Sequence, residues 1–90
     1  MRIWYLIWDD WNVGHIAEHS VTPEEVEEVC YSEWRWNRRG RREKRYVLGQ
    51  TEDGRYLSII LAPRGGGAFY PITARDMDHK ERRLYSSWRG

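Results

Sequence analysis

Asp53-Gly54 separates two runs rich in β-branched, aromatic and leucine residues, 44–51 and 55–62. Asp-Gly supplies the positive φ angles that a tight hairpin turn needs, so the two runs are read as antiparallel neighbours. Leu57-Ser58-Ile59-Ile60-Leu61 is the most apolar run of the chain and belongs at the sheet centre. Alternation of Trp34 and Trp36 with Arg35 and Asn37 predicts a further strand over 33–38. Alternation of Tyr70, Ile72 and Ala74 with Pro71, Thr73 and Arg75 predicts another, beginning near Ala68. A meander of about four antiparallel strands follows from these elements.

Helices flank this meander. Thr22-Pro23-Glu24-Glu25 is an N-terminal helix signature: Thr22 as cap, Pro23 at the first helical position, Glu25 closing a capping box. It predicts a helix near 23–31, with Val26, Val29 and Cys30 inward and Glu24, Glu27 and Glu28 toward water. Asp9 or Asp10 is placed to cap a helix near 12–20, on which Asn12, His15, Ile16 and His19 share a face. Residues 1–8 are nearly all large and apolar, which reads as a short strand covered on both faces. Asp76 is a plausible cap for a C-terminal helix from Met77, with Met77, Leu84 and Trp88 on one face. The fold class is therefore α+β: a small antiparallel sheet of about four to five strands, packed by two short N-terminal helices and a C-terminal helix, as a single domain over 1–90.

Glu81 falls on the apolar stripe of that last helix. A carboxylate there must be paired, since burying it bare costs several kcal/mol or more. Arg75, at the end of the incoming strand, is the obvious partner. The plainer reading is a structural clamp tying the helix to the sheet, and the sharper one is part of an active site.

Charge is unevenly spread. Residues 1–34 hold one base, Arg2, and eight acids, whereas residues 35–90 hold fourteen bases and six acids. Thirteen of the fifteen bases are arginine, the residue better suited to bidentate phosphate contact and to stacking. The back two thirds are thus expected to face an anion, nucleic acid first, against the plainer alternative of a solvated arginine-rich surface. The single cysteine, Cys30, excludes an intramolecular disulfide and a cysteine metal cage. No metal is expected at His15 and His19, because an unaccompanied His pair is a weak signal. A proton-transfer role stays open for either, imidazole being the group that as a class exchanges protons near neutral pH. No apolar run approaches the ~18 residues of a membrane span, so no membrane partner is expected, and the single cysteine suits a reducing cytoplasm. Six tryptophans in ninety residues are too many for so small a core to hide, which predicts an aromatic surface covered by a second copy or another protein.

A longer pattern runs through the chain. Trp8-Asp9, Asn12, His15, His19, Val21, Glu24-Glu25 and Val29 open it. A strand with Arg45 and Gly49, Gly54-Arg55 before an apolar strand, and Ile72-Thr73-Ala74-Arg75 followed by Met77, Glu81-Arg82 and Tyr85 complete it. This pattern resembles the BrnT family of toxins from bacterial type II toxin–antitoxin operons. The resemblance implies a RelE-like fold and metal-independent endoribonuclease activity without a cofactor. It also implies a cognate antitoxin as partner. Two stretches depart from the family pattern: Asp10-Trp11, and the arginine-rich segment 34–44.

Cutting RNA without metal requires a base for the 2′-hydroxyl, cations for the charge growing on phosphorus, and an acid for the leaving 5′-oxygen. Arg75 and Arg82 are the expected cations, with Glu81 or His19 as base and Tyr85 also a candidate for proton transfer. Arg45, Arg55, His15 and Lys80 are the expected RNA contacts. A non-catalytic small basic module that binds RNA or protein, and an inactive family member acting as a structural partner, are the competing readings.

Overall fold

The computed structural model describes residues 1–90. The elements run β1 (Tyr5–Leu6), α1 (Asp10–Ala17), α2 (Pro23–Cys30), β2 (Trp36–Arg39), β3 (Arg45–Gln50), β4 (Tyr56–Pro63), β5 (Ala68–Asp76) and α3 (His79–Arg89), with a 3-10 turn at Arg41–Glu43. The fold is α+β, three helices on one five-stranded sheet of order β1-β5-β4-β3-β2.

β2 to β5 form the antiparallel meander, with β4 at the sheet centre. The turn between β3 and β4 closes as Asp53-Gly54 requires, with Gly54 at φ 92° and its amide donating to the Thr51 carbonyl. β1 pairs in parallel with β5 through Tyr5 and Leu6, so the sheet is mixed rather than wholly antiparallel. A parallel neighbour needs a long crossover, and here α1, α2 and the first three strands of the meander supply it. β1 is also an edge, not a strand covered on both sides: Trp4 and Tyr5 are exposed.

α1 and α2 cover one face of the sheet. Ile16, Val21, Val26, Val29 and Cys30 meet Val47, Leu57, Ile59, Leu61, Phe69 and Ala74 there. At β3 the helix comes so close that a Cβ on Gly49 would lie 2.5 Å from Val29 Cγ1. Asn12 is fully buried, and its amide donates to the carbonyls of Ile7 (2.9 Å) and Pro71 (3.1 Å). Asp9 is the α1 cap, and Thr22 and Glu25 form the box of α2. Glu27 and Glu28 are half-buried rather than facing water. Glu27 accepts from the Trp8 indole (3.1 Å) and Glu28 from the Glu52 amide (3.1 Å).

α3 lies over part of the opposite face, where Tyr85 packs with Leu48 and Met77 against Trp36 and Tyr56. It begins two residues later than the sequence suggests. Asp78, not Asp76, is the N-cap, with Glu81 closing its box. Asp76 ends β5 instead, and its carboxylate is bound by Arg55. Leu84 and Trp88 are exposed, so the inward face of α3 centres on Tyr85.

Candidate functional site

The sheet face under α3 can be read from strand alternation. Two cross-strand rows project from it: Trp36, Leu48, Ser58 and Arg75, then Arg38, Tyr46, Ile60 and Thr73. α3 stands over the first row and leaves the second uncovered. Between helix and rows is a cavity of about 140 Å³, lined by Trp36, Arg38, Tyr46, Leu48, Ser58, Glu81 and Leu84.

Glu81 is the hinge of this region. Its Oε1 accepts from Arg75 Nη1 (2.9 Å) and the Asp78 amide (2.9 Å). Its Oε2 accepts from the Ser58 hydroxyl (2.9 Å) and Arg75 Nη2 (3.1 Å). Four donors fill the roughly four lone-pair sites of a carboxylate. Burial works to raise the Glu81 pKa, but the bonds from Arg75, the Asp78 amide and Ser58 outweigh it, and the net shift is downward. Arg75 is shifted upward, first by its bond to Glu81. The clamp foreseen between these residues is present, and it fixes both in place.

Cations stack on aromatic rings around the clamp. The Arg82 guanidinium lies 3.6 Å from the Tyr56 ring centroid and Arg38 lies 4.8 Å from that of Tyr46. Both arginines are exposed, and stacking holds a guanidinium flat while leaving its N–H edge available. Lys80 is exposed one turn before Leu84 on the same side of α3.

The expected site residues do not all meet. Arg75, Glu81, Arg82 and Lys80 share the α3 side. Tyr85 is there too, but it is buried, and its hydroxyl donates to the Trp34 carbonyl (3.0 Å). His15, His19, Arg45 and Arg55 lie on the other side of the sheet or at its margin. His15 is stacked on Trp11, centroids 4.8 Å apart, and stands edge-on to His19 at 6.1 Å. Arg45 alternates in register with Val47 and Gly49, which face α2. Arg55 is spent on structure. It donates to Asp76 (2.8 and 3.3 Å), Glu25 (3.2 Å) and the carbonyls of Ser20 (2.5 Å) and His19 (2.9 Å). That network joins the ends of α1, α2 and β5 to the start of β4, and the bond to Asp76 is the first cause of the upward shift of Arg55.

Arg38, Tyr46, Trp36 and Ser58 are not among the expected site residues, although basic residues interleaved with tryptophans over 34–42 suit phosphate contact and base stacking. Their convergence depends on cross-strand register, although the alternation of 36 and 38 was visible. Elsewhere an open groove of about 780 Å³ is lined by Glu24, Glu27, Glu28, Glu33 and Glu52 with Tyr31 and Trp34, a surface that repels phosphate. No group of three or more His, Cys, Asp or Glu is gathered as a metal site, and no helix is long and apolar enough to cross a membrane.

No protein-family model matches the sequence, and no curated protein matches it either.

Proposed function

We propose that this chain acts on RNA through the α3 side of the sheet, as a BrnT-like toxin: a metal-independent endoribonuclease of the cytoplasm, held in check by a cognate antitoxin. The observation that carries the reading is the set of stacked, exposed arginines on the α3 side, Arg38 on Tyr46, which both line the cavity, and Arg82 on Tyr56. Guanidinium groups contact phosphate and aromatic rings stack on bases, the combination that single-stranded nucleic acid calls for. Arg82 and the half-exposed Arg75 are the cations for charge developing on a scissile phosphate. Exposed Trp4, Trp11, Trp34 and Trp88 support a protein partner, either the antitoxin or a second copy.

A second reading is favoured by one observation. Glu81 has no acceptor site left for a 2′-hydroxyl proton, and Tyr85 is buried with its hydroxyl engaged. With Glu81 and Tyr85 both engaged, neither of the proton-transfer residues expected on this face is available, which fits a face that binds RNA without cutting it. Controlled expression in a bacterial host separates the two. Growth arrest with fragmented RNA, both lost in Arg82→Ala at unchanged melting temperature, supports the nuclease. Intact RNA that copurifies with the protein supports binding alone. Neither arrest, cleavage nor RNA retention refutes both.

A further inference from the structure

We infer that the cavity between α3 and the sheet is a pocket for one unpaired nucleobase bearing an exocyclic amino group. The inference deepens the RNA-directed reading and takes its ligand class from it. The cavity, about 140 Å³, is far below the ~300–1,000 Å³ of drug-sized ligand sites. It suits one ring system, with the rest of the ligand outside. Leu48 and Leu84 give it apolar surfaces, and Trp36 and Tyr46 give it aromatic ones, as stacking a base requires.

Its polar end has a definite sense. An ionised carboxylate can only accept, so Ser58 donates its proton to Glu81 across their 2.9 Å contact. Ser58, which lines the cavity, keeps its lone pairs, whereas the acceptor sites of Glu81 are already filled by Arg75, the Asp78 amide and Ser58 itself. That end therefore accepts a hydrogen bond through Ser58 and offers no donor to a carbonyl oxygen. Adenine, cytosine and guanine each present an amino group as donor. Uracil offers a single N–H between two carbonyls and suits it poorly. Arg38, exposed at the lip and stacked on Tyr46, is placed for the phosphate that the base carries.

The test is calorimetric titration of the purified protein with AMP, CMP, GMP and UMP separately, repeated with Leu84→Trp. Leu84 is exposed on α3 yet lines the cavity, so the larger ring blocks the mouth without entering the core. Leu84→Glu, which puts a charge at the same mouth, is the second variant if the first melts early. The expected result is that the three amino-bearing nucleotides bind on the order of tenfold more tightly than UMP, and that either variant removes the difference at unchanged melting temperature. Equal affinity for all four, no binding at millimolar nucleotide, or wild-type selectivity in both variants overturns the inference. Failure of the wider reading looks different. Selective nucleotide binding by a protein that neither binds nor cuts oligoribonucleotides refutes RNA as the target and leaves the pocket standing. RNA binding or cleavage that is indifferent to base and to Leu84→Trp does the reverse.

Discussion

Glu81→Gln separates a clamp from a catalytic base. The substitution keeps the size of the side chain but replaces one acceptor oxygen with a donor. At least one of the donors now bound to the carboxylate, from Arg75, Ser58 and the Asp78 amide, must then face an NH₂ group. The Arg75 pair is partly exposed, at 43% and 23% for the two side chains, so its own share is about 0.5–1 kcal/mol. Weakening the capping box and the bond to the nearly buried Ser58 adds about 1 kcal/mol more. A loss of ~2 kcal/mol lowers the melting temperature of a domain this size by about 8–16 °C. The pH dependence follows from the direction of the shift. The folded carboxyl titrates below its ordinary value of 4.5, so its contribution is fully present above that pH and fades as pH falls through the folded pKa. Thermal melts by circular dichroism therefore show a gap between wild type and variant that is constant near neutrality and narrows below about pH 4.5. A variant that melts with the wild type at pH 7, or a gap unchanged down to pH 3, refutes the clamp. A variant with wild-type melting that has lost RNA cleavage makes Glu81 a base after all.

Three further perturbations test the frame around the site. Tyr85→Phe removes the bond to the Trp34 carbonyl and is expected to cost about 1 kcal/mol with no change in RNA affinity, so a large affinity loss at unchanged stability gives Tyr85 a direct role. Gly49→Ala places a methyl 2.5 Å from Val29 and should destabilise by roughly 1–3 kcal/mol in urea unfolding, whereas a neutral result means that α2 can shift freely. Cys30 is buried and burial pushes its thiol up to about 12, so a thiol reagent at pH 8 should react only after unfolding, and stoichiometric labelling of the native protein contradicts that burial.

Local chemistry carried the sequence reading where partners are close along the chain. The Asp-Gly turn and the Thr22–Glu25 box need only neighbouring residues, and Arg75 lies six positions from Glu81. The C-terminal cap shows where such reading slips. Asp76 and Asp78 both precede the helix, but only Asp78 is followed three residues later by a glutamate, and that box decides the start. Met77 looked like the first apolar position of the helix, whereas it packs beside Tyr85 from outside it. The division of the expected site residues between two faces was also implicit. Arg75 and Asp76 are adjacent in a strand, so one faces α3 and the other reaches Arg55 and the α1–α2 side. What no local pattern contained is the pairing of Trp36 with Leu48 and of Leu48 with Ser58, because register across three strands is settled by the whole sheet. The half-burial of Glu27 and Glu28 has the same origin, through partners at Trp8 and Glu52.

The separation of faces sets how strongly salt should weaken RNA binding. Fourteen bases lie in residues 35–90, but few can meet one strand laid along the α3 side. Arg55 is saturated by Asp76, Glu25 and two carbonyls. Arg45 follows the face of Val47, and Arg39 is bound to Glu43 at 3.4 Å. Arg38, Arg75, Lys80 and Arg82 stand around the cavity and the clamp on the α3 side, and Arg83 and Arg89 are exposed farther along α3, Arg89 against the Trp34 ring. With about four to six phosphate contacts on a single strand, log K should fall against log salt with a slope of about −3 to −4, since each contact contributes about −0.7. Arg82→Gln should flatten that slope by about 0.7 while weakening binding uniformly across sequences. The measurement is fluorescence anisotropy of a labelled oligoribonucleotide from about 50 to 200 mM salt. A slope beyond about −6 would require the arginines of the 38–45 tip and the far face to engage as well, and the RNA path along α3 would then be wrong.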